Sequence, residues 1–135
     1  MTDILKPLVI KGTLYWVERD KLNKFSDKYQ IQLGNLSDVA VAAFEERGMV
    51  PTNKGGDDER GFFVTMKSNN PMRISDEAGD EIDADVLISN GSKAVCVIGH
   101  YDWSVGEGRS PSLIRCTVTD LVQYIPETYN EEDAL

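Results

Sequence analysis

Histidine is nearly missing from this 135-residue chain, with His100 the only one. A histidine-based metal cluster or a catalytic triad is hard to build around one imidazole on a strand-like run. Cysteine is almost as scarce: Cys96 and Cys116 are the two present, each among apolar residues. That setting suits a reduced, buried pair in a cytosolic protein better than a disulfide. No apolar run approaches the roughly 20 residues that span a bilayer. The start, Met1-Thr2-Asp3-Ile4, lacks the basic and apolar segments of a secretory leader. No GxxxxGK[ST] phosphate loop occurs, and Gly106-Glu107-Gly108 lacks the strand-to-helix context of a dinucleotide site. These absences predict a cytoplasmic, non-enzymatic protein with no cofactor and no membrane partner.

Positive charge is also in short supply, and the net charge of −9 argues at first against a nucleic-acid partner. Its distribution reverses that argument. Asp57-Asp58-Glu59, the stretch Asp76 to Asp85 and the tail Glu127 to Asp133 hold 13 of the 23 acids. The remainder carries ten acids against 14 Lys and Arg, a mildly basic body with an acidic tail. Solvated acidic loops on an otherwise neutral protein fit the same counts. The pattern predicts one domain over residues 1–126 and an acidic, frayed tail over 127–135.

What the chain does contain is alternation. Leu8, Ile10, Leu14 and Trp16 are apolar at even positions of Leu8 to Val17, with Lys11, Thr13 and Tyr15 between them. Lys28 to Leu33 sets Tyr29, Ile31 and Leu33 against Lys28, Gln30 and Gln32. In Phe62 to Lys67, inward Phe62, Val64 and Met66 leave Phe63, Thr65 and Lys67 outward. Met72 to Ser75 runs into a turn at Asp76-Glu77-Ala78-Gly79, and Val86 to Ser89 returns. Asn90-Gly91 is a tight-turn pair before the run Ala94 to Val105. In Ser112 to Ile125, Ile114, Cys116 and Val118 alternate with Arg115, Thr117 and Thr119, and the shift at Leu121-Val122 predicts a bulge near Asp120. One helix is predicted between Asn35 or Ser37 as cap and Gly48 as stop, with an apolar stripe of Leu36, Val39, Ala40, Ala43 and Phe44. Pro51 to Gly61 reads as a mobile loop. Five or more short strands with one helix and extended hairpin loops predict a small closed barrel.

The outward faces interleave aromatic and basic side chains. Proteins that hold single strands combine aromatic platforms with Lys and Arg along the backbone. Bases are expected to stack on Tyr15 and Phe63, with Trp16 and Tyr101 as further platforms. Phosphates are expected to meet Lys11, Lys67, Lys93, Arg109 and Arg115, helped by the loop Lys21 to Lys28 through Lys24 and Lys28. A register slip of one residue would put Phe63 in the core. Asp76 to Asp85 invites a metal, but Ala78 and Gly79 break the spacing of a calcium-binding loop, so a solvated hairpin tip is the better reading.

From about Phe63 to Pro126 the sequence resembles the single-stranded DNA-binding proteins of short-tailed bacteriophages. The residues that carry this are Ile74-Ser75-Asp76 with Gly79 and Ile82, then Val86-Leu87-Ile88-Ser89-Asn90-Gly91-Ser92-Lys93. Val95, Val97, Tyr101, Trp103, Val105-Gly106 and Leu121-Val122 continue it, and Lys11-Gly12 through Leu33 is similar to the family's opening strands. The resemblance implies a five-stranded OB barrel that protects single-stranded DNA during phage replication and recombination in the host cytoplasm. It implies an acidic tail that contacts replication proteins and competes with DNA, and it leaves a homodimer open. Two features depart from the family pattern: the tail ends in Leu135 where an aromatic is usual, and the helix precedes the third main strand. A protein-interaction adaptor using the same face and, further off, a nuclease using the Asp76–Asp85 carboxylates are the competing readings.

Overall fold

A computed structural model describes residues 6–18, 28–70, 72–83, 86, 88–102 and 108–122. Strand β1 (Leu8–Glu18) is followed by β2 (Tyr29–Gly34), helix α1 (Asp38–Glu46), β3 (Thr52–Asn53) and β4 (Phe62–Ser68). Then come β5 (Ile74–Asp76), β6 (Lys93–Asp102) and β7 (Arg109–Asp120). The fold is mainly β with one helix, as the alternation predicts. The sheet is not the expected closed five-stranded barrel: its seven strands run in the order β3-β4-β2-β1-β6-β7-β5 and do not close. One physical reason is visible in the third main strand. It is broken, so that β4 pairs antiparallel with β2 while the short β5 pairs parallel with β7.

Strand β1 is shared by both halves of the sheet. Its first part pairs with β6 from Leu8 to Thr13, and its second part pairs with β2 from Thr13 onward. The crossover point is tight. A Cβ on Gly12 would lie 2.7 Å from the Gly34 carbonyl oxygen and 2.8 Å from the Leu33 side chain. Ile10, Leu14, Ile31, Leu33, Val64, Met66, Ile98 and Val118 fill the core, together with Phe44 of the helix. Each is the inward member of its alternating pattern. Cys96 and Cys116 are free, fully buried and directly opposed across β6 and β7. The hydrogen bond to Cys116, followed by burial, pushes the Cys96 thiol well above its usual range.

Three expected inward residues lie outside, and the first is Phe62, 37% exposed at the very start of β4. Trp16 is 56% exposed because β1 breaks register between Tyr15 and Glu18, where Trp16 takes a φ of 51°. Ile114 is 58% exposed because β7 bulges there: Val97 opposes Arg115 while Ile98 opposes Leu113. The bulge expected near Asp120 is present, with Lys93 opposite Asp120 and Ala94 opposite Val118. Helix α1 starts at the Ser37 cap, whose Oγ accepts from the Ala40 amide at 3.1 Å. It buries Ala40 and Phe44 but leaves Val39 exposed, so the apolar stripe is narrower than the spacing implies. Gly91 (φ 99°) makes the turn at Asn90-Gly91. Among the described residues no helix is long and apolar enough to cross a membrane.

Candidate nucleic-acid interface

The outward face of β1, β2 and β4 carries the largest group of expected site residues. Register aligns Tyr15 with Gln32 and Gln32 with Thr65, and beside that row Glu18 with Gln30 and Gln30 with Lys67. Tyr15 and Phe63 stand on this face and outside the core cluster, as expected. They are nevertheless 4% and 5% exposed, not open to solvent as outward residues should be.

The covering element is the segment 54–61, which composition marks as mobile and which the structure pins down. Asn35 is its anchor. At a φ of 52°, a conformation Asn adopts more readily than most residues, its amide N–H donates to the Arg60 carbonyl at 2.6 Å. Its side chain is oriented by its neighbours. Nδ2 donates to the Glu59 carbonyl (2.7 Å), while Oδ1 accepts from the Tyr15 hydroxyl (2.7 Å) and from Thr13 (3.2 Å). The Leu36 amide also donates to the Phe62 carbonyl at 3.2 Å. Gly34 is required below this layer, since a Cβ there would meet the Tyr15 ring and the Arg60 carbonyl at 2.9 Å.

Arg60 closes the layer. Its Nε and Nη2 donate to the two carboxylate oxygens of Asp58 at 2.9 and 2.6 Å, and Nη1 donates to Gln32 Oε1 at 2.9 Å. The guanidinium carbon lies 4.0 Å from the centroid of the Phe63 ring, a cation–π arrangement. The hydrogen bonds from Arg60 hold the Asp58 carboxyl down at about 2, and Asp58 in turn raises the Arg60 pKa. Sequence reasoning missed Gln32, Asn35, Asp58 and Arg60 as site residues. Asp58 and Arg60 stand two apart in an acidic loop, and only the fold brings them onto an aromatic ring.

A second concavity, about 470 Å³ in volume, opens beside β4 where a closed barrel would be sealed. Phe63 and Thr65 form one wall, and Arg109, Ser110 and Pro111 of β7 form the other. Arg109 is held there by Nη1 donating to the Arg47 carbonyl (3.0 Å) and Nε donating to Asp102 (2.8 Å). That hydrogen bond draws the Asp102 carboxyl below the usual range. Tyr101, beside it on β6, is 47% exposed.

The remaining expected residues are dispersed. Lys11, Lys93 and Arg115 are exposed on the β1–β6–β7 wall, where Lys11 opposes Val95 and Arg115 opposes Val97. Lys11 and Lys93 also line an apolar groove of about 740 Å³ between β1 and helix α1, with Val9, Val39 and Ala43. They are therefore grouped with aliphatic side chains, not with the aromatic platforms. Lys67 is exposed, Lys28 is half-buried, and Lys24 and Trp103 lie outside the described residues. The Asp76 carboxylate is used by its own turn, accepting from the Ala78 and Asp80 amides at 3.0 Å. Among the described residues no three His, Cys, Asp or Glu side chains are placed to hold one metal ion.

Neither protein-family models nor curated sequences match the chain. Solved structures do. The chain is similar to the single-stranded DNA-binding protein from bacteriophage Enc34 in complex with single-stranded DNA, at a TM-score of 0.60 and 12% identity. The match covers 82% of this chain and 84% of that one. The Enc34 protein without that designation matches at a TM-score of 0.53 and 13% identity, over 92% of this chain and 86% of the other. At such identity the likeness shows the fold.

Proposed function

We propose that this chain is a sequence-tolerant single-stranded DNA-binding protein that works by holding the strand and not by chemistry on it. The observation that carries the reading is the shared fold with the Enc34 protein, which binds single-stranded DNA. The chain's own residues support it. The β1–β2–β4 face concentrates Tyr15, Phe63 and Arg60 with Gln32, Thr65 and Lys67, and the adjoining seam brings in Arg109. Stacking on such side chains contributes about 1–3 kcal/mol per base and tolerates any sequence. Besides Arg60, Lys67 shares this face and Arg109 stands in the adjoining seam. Lys11, Lys93 and Arg115 would meet only a strand that continues around β1 onto the next wall.

The OB-type roll with its third strand broken, a role in phage replication and recombination, and contact of the 127–135 tail with replication proteins belong to the same proposal. Fluorescence anisotropy with oligo-dT and with duplex of equal length tests it. Tighter binding of the single strand, weakening as salt rises, is expected because phosphate neutralisation releases counterions. Equal or tighter binding of duplex would overturn it.

A further inference from the structure

Phe63 is the best-placed ring for a base, yet the face it turns outward is already covered. The Arg60 guanidinium carbon stands 4.0 Å from the ring centroid, and the residue keeps 5% of its surface. A base could touch that face only by displacing Arg60. Arg60 is held against displacement and rotation, with Asp58 bridging Nε and Nη2 and Gln32 receiving Nη1. Those partners use three of the five N–H groups of the guanidinium. The covering group nonetheless keeps 20% of its side-chain surface. A guanidinium is planar and weakly hydrated and stacks on aromatic faces. Arg planes also serve as platforms for splayed bases of single strands.

We propose that Arg60 is itself a base-stacking residue of the single-strand site, its guanidinium lying between Phe63 and an unpaired nucleobase. The inference rests on the single-strand reading above and adds to it the residue that touches the base. In this arrangement Phe63 supports the cation and does not meet the base directly. Because Asp58 neutralises Arg60 in place, the contact acts through the plane more than through net charge. Two N–H groups are left for a base carbonyl or a phosphate oxygen.

Arg60→Lys keeps the charge and removes the plane. Its affinity for oligo-dT should fall about ten-fold, with the slope of log affinity against log salt unchanged. Wild-type affinity in Arg60→Lys would overturn the proposal by making Arg60 a point charge. A double variant, Asp58→Ala with Arg60→Ala, uncovers the Phe63 ring without leaving a lone charge. Weaker binding is expected; tighter binding would overturn the proposal by making Arg60 a lid over Phe63. In the unmutated protein, the Arg60 Nε–H resonance should move upfield on saturation with oligo-dT, from the base's ring current. No shift at saturation would overturn the proposal even if a variant misfolds. If the unmutated protein does not bind oligo-dT at all, the functional reading fails; if it binds while Arg60 is indifferent, only this inference fails.

Discussion

Tyr15 and Phe63 are residues that alternation places on the outward face and that tertiary structure then covers. Their expected behaviour changes accordingly. A freely exposed platform could be truncated without loss of stability, whereas Tyr15→Ala and Phe63→Ala should each lower the melting temperature. The upper bound is about 3–5 kcal/mol, the cost of deleting a buried aromatic. Calorimetry or thermal unfolding by circular dichroism measures this directly, and melting curves superimposable on wild type would refute the covered position. Tyr15→Phe isolates the hydroxyl that bonds Asn35, and should cost at most about 1 kcal/mol, because Asn35 is exposed and its Oδ1 keeps Thr13 as a donor. The Asp58 carboxyl is lowered from its ordinary 3.8 to about 2, chiefly by its side-chain hydrogen bond with Arg60. A depressed carboxylate stabilises the fold above 3.8, and that contribution is lost as pH falls toward 2. Asp58→Asn should therefore flatten the acid side of the melting-temperature profile between those values. The pair is solvent-accessible, so screening keeps the effect small.

At the scale of elements, the seam between β4 and β7 is where the sheet stays open and where Arg109 stands. Arg109 is tied to Asp102, whose side chain is 71% exposed. A phosphate entering the seam competes with that carboxylate for the same guanidinium edge. Asp102→Asn should release Arg109 and tighten oligo-dT binding a few-fold at low salt, with the gain shrinking at high salt. Anisotropy titrations at two salt concentrations check this, and an unchanged affinity at low salt would remove Arg109 from the phosphate path. The turn before β6 is a stability element of a different kind. The fully buried Ser92 hydroxyl accepts from the Val122 amide at 2.8 Å and lies 2.9 Å from the Ser89 carbonyl, tying the turn to the end of β7. Ser92→Ala should cost about 1–2 kcal/mol in urea unfolding, with the m-value unchanged.

For the whole molecule, the proposed function requires a protein of net −9 to hold a polyanion, so the distribution of charge matters more than its sum. Glu127, Glu131, Glu132 and Asp133 place four carboxylates within nine residues of the chain end. On the proposed single-strand reading, these carboxylates, tethered to the same molecule, would compete with DNA phosphates at high effective concentration. Deleting Thr128 to Leu135 should strengthen oligo-dT binding a few-fold at low salt and little at high salt. Identical low-salt affinities of full-length and truncated protein would leave the tail no part in the cleft.

The sequence missed the short β3 and expected a strand over Val86 to Ser89 that the described residues do not form. By itself it determined the other six strands, the capped helix, the free buried cysteines and the inward member of most alternating pairs. Each of these follows from local periodicity or from a turn residue. The outward side of Tyr15 and Phe63 was legible for the same reason. Tertiary structure alone decided what stands on top of them. Segment 54–61 has the composition of a loose loop, and its order comes from Asn35, about 20 residues earlier, through backbone bonds with no sequence signature. Alternation is equally silent about bulges, since one inserted residue turns Trp16 and Ile114 outward without altering the apolar pattern. The split of the cations between two walls was hidden too. It depends on β1 changing partners at Thr13, and pairing partners are a property of the folded sheet, not of any one strand.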